Sequence, residues 1–262
     1  MADSGKLLVT LENGIKRICF NRPERRNAVD HDTMTLLQGA IAESVTDDSK
    51  VMVLTGAGDS FCSGADLQSF GDRDLREVDV TTMLRAISNP TILAMRALPK
   101  PIIARVHGHA AGIGCNYALA CDLIIASEDA KFGQAFVKIG LMPDGGSTHF
   151  LPRTIGYAKA FELMALGETL SSSDALSLGL VNRVVPLDQL DPTVDSLAQK
   201  LAQGPSIALA KIKSALNQPE RAALAAALEF EAINQSDCFH SQDFQEGVQA
   251  FIEKRKPIFR GH

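Results

Sequence analysis

Apolar residues along this chain fall into short runs separated by stretches with helical spacing. Leu7-Leu-Val-Thr-Leu11 and Ile15-Lys-Arg-Ile-Cys-Phe20 flank Asn13-Gly14, a pair that accepts the positive φ of a tight turn, and so predict a hairpin. Lys50-Val-Met-Val-Leu-Thr55 and Pro101-Ile-Ile-Ala-Arg-Val106, each closed by glycine, predict buried strands. Asp122-Leu-Ile-Ile-Ala126 and Leu180-Val-Asn-Arg-Val-Val185 complete the set. From Asp32, the residues Met34, Leu37, Ile41 and Val45 keep one helix face apolar behind an aspartate able to cap it. Ser171-Ser-Ser-Asp174 opens a short helix that Gly179 stops. Strands alternating with helices predict an α/β fold.

After Gly204-Pro205 the strand pattern ceases, and Arg221–Glu231 and Asp243–Lys256 read as helices. The chain therefore divides near residue 200, into an α/β core over 1–200 and a helical segment over 201–262. Leu224, Leu228, Phe230, Ile233, Phe244, Val248 and Phe251 are more apolar surface than a short helical pair buries alone. Either a second copy of the chain covers them or the segment packs back on the core.

Composition narrows the function classes. The 262 residues are 45% hydrophobic, enough for one large domain with a sizeable core. Lys plus Arg is 26 against 31 Asp plus Glu, a net charge of −5 that supplies no basic face for nucleic acid. Cys19, Cys62, Cys115, Cys121 and Cys238 are odd in number and lack Cys-x-x-Cys spacing, which predicts reduced thiols in a cytoplasmic setting rather than disulfides or a zinc site. The Met1-Ala-Asp-Ser-Gly start lacks the basic-then-apolar order of a secretory leader. No run approaches the ~18 apolar residues of a membrane span.

Three stretches carry candidate chemistry. Gly108-His-Ala-Ala-Gly-Ile-Gly114 follows a strand and leads into a helix of small residues. Such a turn leaves backbone N–H groups free to meet a negative oxygen; the same glycines also suit tight helix–strand packing. Ser60-Phe-Cys-Ser-Gly-Ala-Asp66 is a second small-residue turn after a strand, and one donor from each turn would make an oxyanion hole. The third is Phe132-Gly-Gln-Ala-Phe136 with Gly140-Leu-Met-Pro-Asp144-Gly-Gly-Ser-Thr148. Asp144 beside Leu141, Met142 and Pro143 is either a poorly solvated general base or a plain turn residue. His107 and His109 lack a third ligand for a metal and read as turn histidines. His149 is a candidate to orient Asp144. Asp66 reads as shaping its turn, Asp122 as structural, and Ser147 and Thr148 as helix-capping residues.

In this order the stretches resemble the crotonase family, also called enoyl-CoA hydratase/isomerase. Asn21-Arg-Pro-Glu-Arg-Arg-Asn-Ala28, Phe61-Cys-Ser-Gly-Ala-Asp-Leu67, the run from Lys100 to Asp122, and Phe251-Ile-Glu-Lys-Arg-Lys-Pro-Ile-Phe259 carry the likeness nearly end to end. The resemblance implies a crotonase-type spiral of ββα units with a helical C-terminal trimerisation segment, assembled as trimers or hexamers. It places the oxyanion donors on the Ala65 and Ile113 amides; many members have Gly where this chain has Ile113. It lays the coenzyme A of the substrate along Arg25, Asn27, Ala28, Ala65, Asp66, Leu67 and Gln68. Phe251 and Lys254 of a neighbouring subunit either close over its adenosine end or belong to an amphipathic surface helix. Pocket walls are expected from Gln68–Leu98. No separate cofactor and no metal are implied.

Family hydratases use two glutamates, and this chain has Asn116 and Phe136 there. Asn does not exchange a proton near neutral pH, and Phe excludes water. Asp144 stands where several isomerases of the family carry their base. The implied activity is an acyl-CoA isomerase that shifts a double bond or rearranges a ring through a thioester enolate, with Phe136 lining a dry pocket. The alternatives are hydration of a 2-enoyl-CoA and non-catalytic acyl-CoA binding.

Overall fold

A computed structural model describes residues 5–70 and 77–261. Residues 1–4, within the stretch read for a leader, and 71–76, within the expected pocket wall, lie outside the described residues.

The predicted hairpin forms: β1 (Leu7–Glu12) pairs antiparallel with β2 (Ile15–Phe20) across Asn13 and Gly14, both at positive φ. β2 then pairs parallel with β3 (Val51–Gly56), β3 with β4 (Ile102–Val106), β4 with β6 (Leu123–Ser127), and β6 with β9 (Arg183–Val185). Both faces of this sheet are covered, which is why its strands read as continuous apolar runs rather than alternating ones. Met52 and Leu54 face the main core with Phe20, Ile102 and Ala104. Val51 and Val53 face the other way with Ile103 and Ile125, where Leu190, Val194, Ala198 and Ala202 of α8 (Leu187–Ala202) cover them.

A second sheet was not legible in the sequence. β5 (His109–Ala111), β7 (Lys131–Gly133) and β8 (Thr169–Ser171) are three residues each, too short to show a period. Helix α1 spans His31–Glu43, and its cap is Asp30 rather than Asp32: Asp30 Oδ1 accepts from Thr33 N at 2.9 Å. Asp32 instead sits in the first turn, paired with Lys6, and Val45 lies beyond the helix, exposed. The short helix α7 (Ser172–Ser177) is capped by Ser171 as predicted, and the positive-φ Gly179 follows it.

The C-terminal helices α9 (Ser206–Asn217), α10 (Arg221–Phe239) and α11 (Gln242–Glu253) fold back on the same chain. Leu224 and Leu228 join the main core. Phe239, Phe244 and Val248 cluster with Val80 of α2 (Val80–Met83). Phe230, Ile233 and Phe251 stay 62%, 49% and 56% exposed, so packing on the core covers part of the apolar surface and not all of it. Helix α11 seats on the short 3-10 turn Ala135–Ile139 at Gly247, where a Cβ would stand 2.6 Å from Ile139 backbone atoms. Gly247→Val is expected to lift α11 while sparing the sheet. Limited proteolysis should then cut between residues 240 and 261 first, with the strands of the six-stranded sheet staying protected.

Candidate active site

Two turns far apart in sequence are bonded side by side. Phe61 N donates to His107 O at 2.9 Å, Cys62 N to His109 O at 2.9 Å, and Ala111 N to Cys62 O at 3.0 Å. Only glycine permits this approach. A Cβ on Gly114 would meet Cys62 O at 2.4 Å, and one on Gly64 would meet Ala111 O at 3.0 Å; Gly64 and Gly112 are both at positive φ. The chain leaves Gly112 as the start of α4 (Ile113–Leu119), so Ile113 N–H is a first-turn donor without an intrahelical acceptor. Among the described residues no backbone oxygen takes the N–H of Ala65 or of Ile113. The Ala65 turn is braced from behind: Asp66 Oδ2 accepts from Arg22 Nη2 at 2.7 Å, and Asp66 Oδ1 from Gln68 N at 3.2 Å. Asp66 therefore shapes its turn, as the sequence suggested.

Asp144 lies between these turns and α10. Its backbone carbonyl accepts from Asn116 Nδ2 at 2.8 Å and Ser147 Oγ at 3.0 Å. Asn116 Oδ1 in turn accepts from Gln134 Nε2 at 2.8 Å. The Asn116 amide is thus consumed in holding the Asp144 loop. The carboxyl is 8% exposed, and burial pushes its pKa up to about 6 against a hydrogen bond that pulls the other way: Gln235 Nε2 donates to Oδ2 at 3.0 Å.

A cavity of about 290 Å³ joins these parts. Gly64, Ala65, Gly112, Ile113 and Asp144 line it. Its walls include Met34, Ile87, Leu141 and Phe239, which make it largely apolar. Val80, Met83, Leu84, Ile87 and Ser88 supply the described part of the expected Gln68–Leu98 wall. Phe136 lines the cavity with its ring against Gly112, and Asp144 is the one carboxylate among the described lining residues.

The residues expected along coenzyme A have varied placements. Leu67 lines the cavity. Arg25 hydrogen-bonds Gln68 at the surface beside it. Ala28 is buried, and its carbonyl accepts from Arg22 Nη1 at 2.7 Å. Asn27 is buried with its amide fully occupied: it accepts from Arg22 N at 2.9 Å and donates to the carbonyls of Ala57 and Ser60. Phe251 lines the cavity from its own chain's α11, whereas exposed Lys254 caps that helix outside the lining.

His149 is not brought to Asp144. It faces a separate, wider cavity of about 960 Å³ with Arg96, Arg153, Lys213 and Glu220, whose lining includes neither Ala65 nor Ile113. His107 bonds Arg105 and Gly58 O, Asp122 Oδ2 accepts from Ile102 N at 2.8 Å, and both roles are structural. Ser147 and Thr148 do not cap their helix as expected. α5 (Ser147–Ile155) starts after Gly146 without a local side-chain cap, and Glu231 of α10 serves instead. Glu231 Oε2 accepts from Gly146 N at 2.7 Å, and Oε1 accepts from Thr148 N at 3.0 Å and from its hydroxyl. Burial raises the Glu231 pKa to about 7, with the Asp144 charge adding to the rise.

Glu231 and Gln235 were missed in the sequence. Their signal was positional: they fall on the helix face of Leu224, Leu228, Ala232 and Phe239, where an apolar residue is expected.

Two backbone N–H groups without backbone acceptors, a desolvated carboxyl and an apolar cavity sit on a crotonase fold. An enoyl-CoA hydratase from Mycobacterium avium subsp. paratuberculosis superposes with a TM-score of 0.88 at 38% identity, covering 97% of this chain and 98% of that one. The family model for enoyl-CoA hydratase/isomerase matches residues 10–262, and the chain belongs to that family. Its relatives include a probable enoyl-CoA hydratase of Rhodobacter capsulatus, 40% identical over 255 residues (96% of each chain). Another is a 1,2-epoxyphenylacetyl-CoA isomerase of Escherichia coli, 38% identical over 260 residues (97% of this chain, 98% of the relative).

The raised Asp144 pKa has a consequence for stability. The folded value lies above the unfolded one, so the fold is relatively favoured at low pH and loses stability as pH rises through about 6. Asp144→Asn removes this titration. Its melting temperature should exceed the parent's by roughly 5 °C at pH 8, a gain that shrinks below pH 6, as scanning calorimetry would read.

Proposed function

We propose that this chain is an acyl-CoA isomerase in which Asp144 is the single acid/base. The supporting observation is that Asp144 is the one carboxylate among the described residues lining the cavity that also holds Ala65 and Ile113. Asp144 takes a proton from the carbon α to the thioester carbonyl. The Ala65 and Ile113 amides hold the enolate oxygen, an interaction of several kcal/mol in such sites. The protonated Asp144 then returns the proton at the γ-carbon, or the dienolate rearranges a strained ring and takes the proton back from Asp144 as the isomer forms. Electrons and protons balance without an oxidant, and no cofactor is needed beyond the coenzyme A of the substrate.

Hydration of a 2-enoyl-CoA needs a second group to hold and deprotonate water. Asn116 is engaged at both ends of its amide, and Phe136 presents a ring. The hydratase names among the relatives keep hydration as the second reading. The half-exposed Phe251, with Phe230 and Ile233, supports a homo-oligomer, trimer or hexamer, in which Lys254 of a neighbour reaches the coenzyme A. We place the protein in the cytoplasm; no helix of the described residues is long and apolar enough to cross a membrane.

Asp144→Asn should lower isomerisation of a 3-enoyl-CoA by about 10³-fold while thioester affinity stays within about threefold. Deuterium uptake at the α-carbon should vanish with it; uptake at the parent rate would refute the assignment. In the parent, kcat/KM should fall below about pH 6, where Asp144 takes up a proton.

A further inference from the structure

We propose that Gln235 is a positioning residue that fixes which oxygen of Asp144 takes the proton and holds that carboxyl ready to ionise. This rests on Asp144 being the base. Gln235 is 1% exposed, and every polar atom of its amide has a partner. Oε1 accepts from Met142 N at 3.2 Å. Nε2 donates to Met142 O at 2.8 Å and to Asp144 Oδ2 at 3.0 Å. The Met142 N–H admits only the carbonyl end of the amide, so the NH2 end must face Asp144. Oδ1 accepts no hydrogen bond among the described residues, and Asp144 lines the cavity. One oxygen is tied, and the other is left without a donor.

The same helix face meets Asp144 twice. The Gln235 donor favours its ionisation, and the Asp144 charge in turn opposes ionisation of Glu231, one turn before Gln235. Tyr117 of α4 is the other titratable group that feels Asp144; His31 and Lys138 stand on the cavity wall. Glu231 also ties Gly146 and Thr148, so α10 fixes the chain on both sides of Asp144: Met142 through Gln235, and the start of α5 through Glu231. Coupling of the C-terminal helix to the base is thus direct, through side-chain hydrogen bonds rather than through packing alone.

The test is an NMR titration of the full-length protein labelled with 13Cγ-aspartate and 15N-glutamine, with Asp144→Asn to assign the aspartate signal. The Gln235 side-chain amide signal should move with the same midpoint as the Asp144 carboxyl. Gln235→Met removes the donor. Gln235→Asn keeps an amide in the slot but is one methylene too short to reach Oδ2. Each should raise the Asp144 midpoint by about one pH unit. Should Gln235→Met fail to fold, Gln235→Asn and the parent's own amide signal decide. An amide signal flat through the Asp144 titration, or an unmoved midpoint in a folded variant, overturns the proposal. α-Proton exchange that survives in Asp144→Asn would instead remove the base assignment, and it leaves the titration result standing.

Discussion

A carboxyl group withdrawn from water, with one oxygen bonded to Gln235 and the residue lining an apolar cavity, is the constraint on which the rest of this molecule depends. Burying a carboxylate is costly, and each supporting contact bears on that cost. Asn116 and Ser147 hold its backbone carbonyl, Gln235 offsets part of the desolvation, and Glu231 fixes Gly146 two residues on. The outcome is a pKa of about 6, where the group can both accept and return a proton near neutrality.

The opposing half of the site is made from backbone. The Phe61–Cys62 and His107–Ala111 segments are laced by hydrogen bonds, and Gly64 and Gly114 let them lie closer than a side chain allows. Ile113 is 5% exposed, and its N–H meets no backbone acceptor among the described residues. At Asn116, where the family resemblance implies a hydratase glutamate, this chain uses the side chain to hold the Asp144 loop.

Legibility in the sequence followed the length and regularity of each signal. The buried strands, the Asn13-Gly14 turn and the Ser171 cap were readable because their chemistry is local. The strands of the second sheet were not, since three residues carry no period. The α1 cap was misplaced by two residues because Asp30 and Asp32 are equivalent in local sequence and differ only in their contacts with Thr33 and Lys6. Asp144 was readable as a candidate from its apolar neighbours. Its partners were not, because Gln235 lies on a helix whose composition resembles any amphipathic surface helix until α5 and the Met142 loop are packed against it. His149 was adjacent in sequence and yet faces the other way, one helical turn being enough to carry it into a different cavity.

The most direct measurement of single-carboxylate chemistry is the mass of the product when the unmodified protein is incubated in deuterated water, separately with a 3-enoyl-CoA and a 2-enoyl-CoA. Proton shuttling by one buried acid predicts isomers that have gained no water, with deuterium only to the extent that the acid exchanges with solvent between the two transfers. A product heavier by one molecule of water, formed from the 2-enoyl substrate at a rate matching or exceeding isomerisation, would contradict it.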